Sequence, residues 1–143
     1  MASVKLVERI DAPAQKVWKV VEDFGDLSYV GDAVKSCTVD GSGIGCVRRI
    51  EMAGGGGIVL ERLDAYDSDS YRFAYTIVND DECPLPFQGY SSRFSLRPLG
   101  PDATELEWQG AFEPKGVSEE EASGVVNAIY SGGVAGIKGA LGL

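Results

Sequence analysis

Apolar and polar positions change their period twice along the chain. Ser3–Ile10 alternates as a short strand, and Val17, Trp18, Val20, Val21 and Phe24 then recur at helical spacing. Asp11 is the expected N-cap of that helix, Pro13 suits its first turn, and Gly25 ends it. Asp26–Val30 is expected to form a short second helix. The period then returns to two. Ala33–Asp40 and Ile44–Met52 flank D-G-S-G, a hairpin signal, and Ile58–Tyr66 is entered through Gly54–Gly57. Ser70–Val78 places Tyr71, Phe73, Tyr75 and Ile77 on one face. After the loop NDDECPLP come Phe87–Pro98 and Thr104–Phe112, joined by L-G-P-D. In the last strand Leu106, Trp108 and Phe112 share one face and Glu105, Glu107 and Gln109 the other, the mark of a sheet with one dry and one wet side. The helical period resumes after Val117. Ser118 and Glu121 have capping-box spacing, Glu119–Glu121 suit the helix dipole, and Val125, Ile129, Val134, Ile137 and Leu141 supply apolar positions. This order points to one sheet wrapped around a helix, a container with an interior.

Composition narrows what the container holds. The chain has 143 residues, the size of one ordinary domain, so residues 1–143 are read as a single unit without repeats. Hydrophobic residues make up 44%, enough for a core. The net charge of −9 disfavours nucleic acid, and Lys and Arg form no runs that would suit a membrane surface. No stretch has the length of a membrane span and MASVKLVERI lacks the pattern of a signal peptide, so the expectation is a cytoplasmic protein, monomeric or weakly dimeric. Histidine is absent, which removes His-based triads and the commonest metal ligand. Cys37, Cys46 and Cys83 show no C-x-x-C spacing, so neither a metal nor a cofactor is expected. Cys37 and Cys46 could face each other across the hairpin, as two thiols in a reducing compartment.

Strand parity singles out two charged residues. Cys37, Val39, Ile44, Cys46 and Ile50 mark the dry face of the first hairpin, and Arg48 belongs to it. A turn at Gly54-Gly55 sets Glu61 across from Arg48, so both are expected to point inward. Such a pair has two readings. Arg48 could hold an anionic or carbonyl oxygen while Glu61 moves a proton. Alternatively the two form a salt bridge that only fixes register.

The motifs I-D-A-P-A-Q-K-V-W-K-V-V-E-D-F-G-D-L, G45-C-V-R48, L60-E-R-L63, F73-A-Y-T-I77, P84-L-P86, Y90-S-S and W108 occur in an order that resembles the polyketide cyclase/dehydrase branch of the START/Bet v 1-like superfamily. The resemblance covers nearly the whole chain. It implies an α+β helix-grip fold: a curved seven-stranded antiparallel sheet around a long C-terminal helix, with two short helices between strands 1 and 2. It also implies an apolar cavity between sheet and final helix. Members bind lipids, hormones, polyketides and other small apolar molecules, and some are enzymes. The expected partner is thus a small apolar molecule with a polar end, held near Arg48. The alternative is a cofactor-free cyclase, dehydratase, isomerase or lachrymatory-factor-synthase-like enzyme. In the last of these an arginine and a glutamate at comparable strand positions act, and Arg48 and Glu61 match them. The hormone receptors of the superfamily carry a gate of S-G-L-P-A type where this chain has G-G-G-G, which argues against receptor function.

Around that pair, Tyr75 and Tyr90 are candidate hydrogen-bonding groups or plain aromatic core, and Phe73 and Trp108 candidate walls. Leu85 is a candidate lid residue at the mouth. Ile129, Gly133 and Ile137 are candidate contacts from the final helix, where Gly124, Gly132, Gly133, Gly136, Gly139 and Gly142 would leave a thin ridge with room for a ligand. Asp80, Asp81 and Glu82 are read as a solvated loop.

Overall fold

The computed structural model describes Met1–Leu143. Its strands are β1 (Ala2–Ile10), β2 (Val34–Asp40), β3 (Val47–Met52), β4 (Ile58–Asp67), β5 (Arg72–Ile77), β6 (Phe87–Gly100) and β7 (Ala103–Pro114). Between β1 and β2 lie α1 (Ala14–Val21) and a 3-10 segment (Ser28–Ala33), and α2 (Glu119–Ala140) follows β7. The strands form one antiparallel sheet in the order β1-β7-β6-β5-β4-β3-β2. This is the helix-grip architecture the sequence predicts. At about 1.5 Å per residue, α2 is long enough to lie across several strands. It packs on the face that carries Leu106 and Trp108: the Trp108 and Tyr130 rings stack at 4.7 Å.

Local chemistry explains the elements and three corrections. Ser118 caps α2 as expected, its Oγ accepting the Glu121 N–H at 3.1 Å. Asp11 does not cap α1. Pro13 holds that position in an extended conformation, and the Asp11 carboxylate instead takes the Arg9 Nε–H at 2.9 Å. The expected second helix is a 3-10 turn starting two residues later, at Ser28.

The first hairpin departs most from expectation. Gly41, Gly43 and Gly45 all have positive φ, a conformation glycine adopts without steric cost. They swing the chain away from β2, so β3 begins at Val47 rather than Ile44. Ile44 is 66% exposed and lies outside the sheet, whereas Val39, opposite Arg48, keeps the dry face and is 40% exposed near the end of β2. Cys37 pairs with Ile50, not Cys46, and all three cysteines are free thiols. From Cys46 onward the ladder to β4 is intact, with Leu63 N–H donating to Cys46 O at 2.9 Å. The β3–β4 turn closes through Met52 N–H to Gly57 O at 2.9 Å, and this register sets Arg48 opposite Glu61.

Candidate functional site

Arg48 and Glu61 are 5% and 7% exposed. Arg48 Nε donates to Glu61 Oε1 at 2.8 Å, Nη2 lies 2.7 Å from the same oxygen, and Nη1 donates to Phe24 O at 2.9 Å. The guanidinium carbon sits 3.9 Å from the Phe24 ring centre and 4.9 Å from that of Tyr75, within cation–π range. Burial alone would lower the Arg48 pKa, but the Glu61 charge, the nearby tyrosines and the hydrogen bond to Glu61 outweigh it and raise the pKa. The guanidinium therefore stays charged, and three of its five N–H groups are directed at Glu61 and Phe24. Glu61 Oε2, by contrast, takes no hydrogen bond from the protein, and the side chain keeps 9% of its surface.

That surface opens on a pocket of about 420 Å³ between the sheet and α2, of a size usual for small-molecule sites. Seventeen of its 21 lining residues are hydrophobic, which leaves the few polar atoms to set orientation. β3 and β4 supply Arg48, Ile50, Met52, Val59 and Glu61; β5 and β6 supply Tyr75, Ile77, Phe87 and Tyr90. α2 contributes Val125, Ala128, Ile129, Gly132 and Gly133, and the 3-10 segment contributes Tyr29 and Val30. Another depression, of about 480 Å³, lies on the convex face, but only four of its twelve lining residues are hydrophobic and it reaches neither Arg48 nor Glu61.

The structure brings Arg48, Glu61, Tyr75, Leu85, Tyr90, Trp108, Ile129 and Gly133 to this pocket. Two named candidates lie elsewhere. Phe73 stacks on Phe94 at 5.0 Å in the aromatic core. Ile137 is fully buried one turn beyond the pocket wall. The glycine ridge is also different in kind from the expected one. A Cβ on Gly133 would meet the Trp108 ring at 2.6 Å, and one on Gly136 would collide with the Tyr29 carbonyl. These two glycines let α2 approach its neighbours. Gly124, Gly132 and Gly139 face open space. At the mouth, a Cβ on Gly57 would meet the Pro84 ring at 3.1 Å, so the β3–β4 turn lies close to the loop that carries Leu85. In the acidic loop, Lys115 Nζ donates to Asp80 O at 3.0 Å and Cys83 O at 3.2 Å.

Behind the pocket runs a buried hydroxyl chain. The Tyr90 and Tyr130 hydroxyls are 2.6 Å apart, and Tyr130 and Ser92 2.9 Å. Ser92 Oγ donates to Gln109 O at 3.1 Å. Trp108 Nε1 donates to Ser92 Oγ at 3.1 Å and to the Tyr75 hydroxyl at 3.2 Å. Burial pushes the pKa of Tyr75, Tyr90, Tyr130 and Tyr29 up, so all four are neutral at ordinary pH. Sequence reasoning missed Tyr130 and Ser92. A signal existed for each: Ser92 has the parity of Tyr90 and Phe94, and Tyr130 lies midway between Val126 and Val134 on the buried stripe.

The sequence profile of the family described as polyketide cyclase / dehydrase and lipid transport matches residues 1–142. The chain belongs to this family. An 81-residue stretch is 31% identical to the abscisic acid receptor PYL6 of Arabidopsis thaliana, covering 53% of this chain and 38% of the receptor. The chain thus spans about two-fifths of that relative's length. The protein XoxI of Bacillus cereus superposes with a TM-score of 0.87 at 26% identity, over 98% of this chain and 95% of that one. Norcoclaurine synthase of Thalictrum flavum, solved with dopamine and hydroxybenzaldehyde, gives a TM-score of 0.72 over 97% of this chain and 85% of that one; at 14% identity it shares the fold alone. No helix here is long and apolar enough to cross a membrane.

Proposed function

We propose that residues 1–143 act as one binding unit whose pocket takes a small apolar molecule with a hydrogen-bond donor at its polar end. One observation carries this reading: a single carboxylate oxygen, Glu61 Oε2, lacks a protein partner in an otherwise hydrophobic pocket. This oxygen faces the pocket, where a ligand O–H or N–H can bond it and where a bound ligand without a donor would leave it unpaired. Arg48 then positions Glu61, to which two of its nitrogens bond, and the Glu61 carboxylate beside it disfavours an anionic ligand at the guanidinium. The family's name, with its lipid-transport component, supports a binding role, and the norcoclaurine synthase structure supports a fold able to hold small aromatic molecules. The same free oxygen favours a second reading, in which Glu61 is the acid/base of a cofactor-free cyclase, dehydratase or isomerase.

Fluorescence titration with N-phenyl-1-naphthylamine and with 1-benzylnaphthalene, which replaces its N–H by CH2, tests the binding reading. The amine should bind about tenfold more tightly, since a hydrogen bond to a charged group is worth about 1.5–3 kcal/mol. Equal affinities would remove Glu61 from recognition, and no binding of either probe would remove the pocket. Native mass spectrometry of the purified protein, searching for a retained small molecule, identifies the ligand. If that molecule is chemically converted by the wild type and left unchanged by Glu61→Gln, the enzymatic reading replaces the binding one.

A further inference from the structure

Proton accounting along the buried hydroxyl chain assigns a polarity to two pocket tyrosines. Gln109 O is a carbonyl and can only accept, so the Ser92 proton goes to it. Ser92 Oγ then has two lone pairs: the Tyr130 O–H fills one, and the single Trp108 N–H, shared with the Tyr75 hydroxyl, fills the other. With its proton on Ser92, Tyr130 must accept from Tyr90. The chain is closed: Ser92 makes three hydrogen bonds and has no capacity left.

Tyr75 lies outside this closed set. It is register partner to Ser92 across β5 and β6 and only 3% exposed, and it lines the pocket. Its oxygen accepts a share of the Trp108 Nε1–H, and Ser92 Oγ is the protein acceptor near its own proton. Ser92, the obvious neighbour, is already saturated. A hydroxyl proton buried to this degree without a partner is as costly as an unpaired acceptor.

We infer that Tyr75 donates its hydroxyl hydrogen bond to a carbonyl oxygen of the ligand, and that Tyr130 and Ser92, out of the ligand's reach, hold Tyr75 in that role by closing off the internal alternative. Tyr75 is a ligand-binding residue in this scheme; Tyr130 is a positioning residue, fully buried and absent from the pocket wall. Resting on the binding function proposed above, the inference narrows the ligand class. The molecule offers a donor to Glu61 Oε2 and an acceptor to Tyr75, as a hydroxy-ketone or phenolic carbonyl compound does.

The test compares 2-acetylnaphthalene with 2-isopropenylnaphthalene, which replaces the C=O by C=CH2 and keeps the shape. Wild type should prefer the ketone about three- to tenfold, the range of one net neutral hydrogen bond. Tyr75→Phe should reduce the preference to about one while leaving the hydrocarbon's affinity unchanged. Tyr130→Phe frees a lone pair on Ser92, to which Tyr75 can turn, and should also lower the preference without changing hydrocarbon affinity. A preference kept in Tyr75→Phe overturns the assignment, and one kept in Tyr130→Phe overturns the positioning role. If the hydrocarbon binds wild type and the ketone binds no better, the inference falls while the pocket stands; if neither binds, the pocket reading itself falls. Should a variant fail to fold, infrared spectra of 13C-carbonyl-labelled ketone bound to wild type decide the matter. A carbonyl band shifted down from its position in hexane supports the donor, and an unshifted band overturns it.

Discussion

Where β1, β7 and β6 meet α1 and the C-terminal part of α2, Ile10, Val17, Leu106, Val134 and Ile137 are at most 2% exposed. Where β3 and β4 pass beneath the 3-10 segment and the middle of α2, the same kind of side chains line an open pocket instead. One sheet and one helix bound both regions. They differ in what crosses the gap. On the first side branched aliphatics from helix and sheet interdigitate, as close packing requires. On the second, α2 presents Ala128, Ile129 and Gly132, and the sheet presents Arg48 and Glu61, whose mutual bonds keep them flat against it. A helix that exposes short residues to a sheet carrying an ion pair does not fill the space between them.

Truncation should separate the two regions by the widest margin. Leu106→Ala, at a fully buried site, is expected to lower stability by about 2–5 kcal/mol in urea denaturation. Ile129→Ala, at a position 41% exposed on the pocket wall, should cost about 1 kcal/mol or less. Comparable losses would mean that the pocket side is packed in solution. Adjacent glycines give a finer contrast. Gly133→Ala drives a methyl into the Trp108 ring and should cost about 1–3 kcal/mol. Gly132→Ala points into open space and should stabilise by about 0.5–1 kcal/mol through helix propensity. Effects of the same sign would break the distinction between a close approach and an opening.

While Tyr66, Cys37 and Cys83, raised chiefly by burial, titrate outside the pocket, alkali acts on the pocket side through Tyr29, Tyr75 and Tyr90, which line it, and Tyr130 directly behind. Their pKa values are raised in the fold, chiefly by burial. Above about pH 10 the unfolded chain has lost these protons and the native one still holds them. The native state then binds more protons, so stability is full below pH 10 and falls as pH rises past it. Tyr75 and Tyr90 should each contribute up to about 1.4 kcal/mol per pH unit. Urea midpoints at pH 9 and pH 11 check this. An unchanged alkaline loss in the Tyr75→Phe/Tyr90→Phe double variant would place its origin elsewhere.

The Arg48–Glu61 juxtaposition was legible because side-chain direction along a strand repeats every two residues, and a symmetric turn preserves register. Ile44 was misjudged for a related reason: the sign of φ at Gly41, Gly43 and Gly45 decides where β3 starts, and glycine leaves no trace of that sign in sequence. Asp11 looked like a cap because residue type does not reveal that Arg9 competes for its carboxylate. The Tyr130–Ser92 bond joins residues 38 positions apart and depends on how α2 settles on β7, which periodicity cannot specify. Gly133 and Gly136 were noticed as a ridge, but what a ridge admits, a tryptophan and a backbone carbonyl, is set by the opposing surface.

The register of β1 has a consequence for how the molecule assembles. Ala2 pairs with Phe112 and Ile10 with Thr104, so the first strand made waits for nearly the last. During synthesis β1 is an unpaired strand carrying Val4 and Leu6 until β7 has emerged. The consecutive pairings from β2 through β7 can form earlier and more locally. Closing so long a loop slows folding, and mixed folds dominated by such contacts complete it on slower timescales than helical bundles of equal stability. The N-terminal strand is thus the last piece of sheet to be set in place, and the segment whose early exposure most invites pairing with a neighbouring chain.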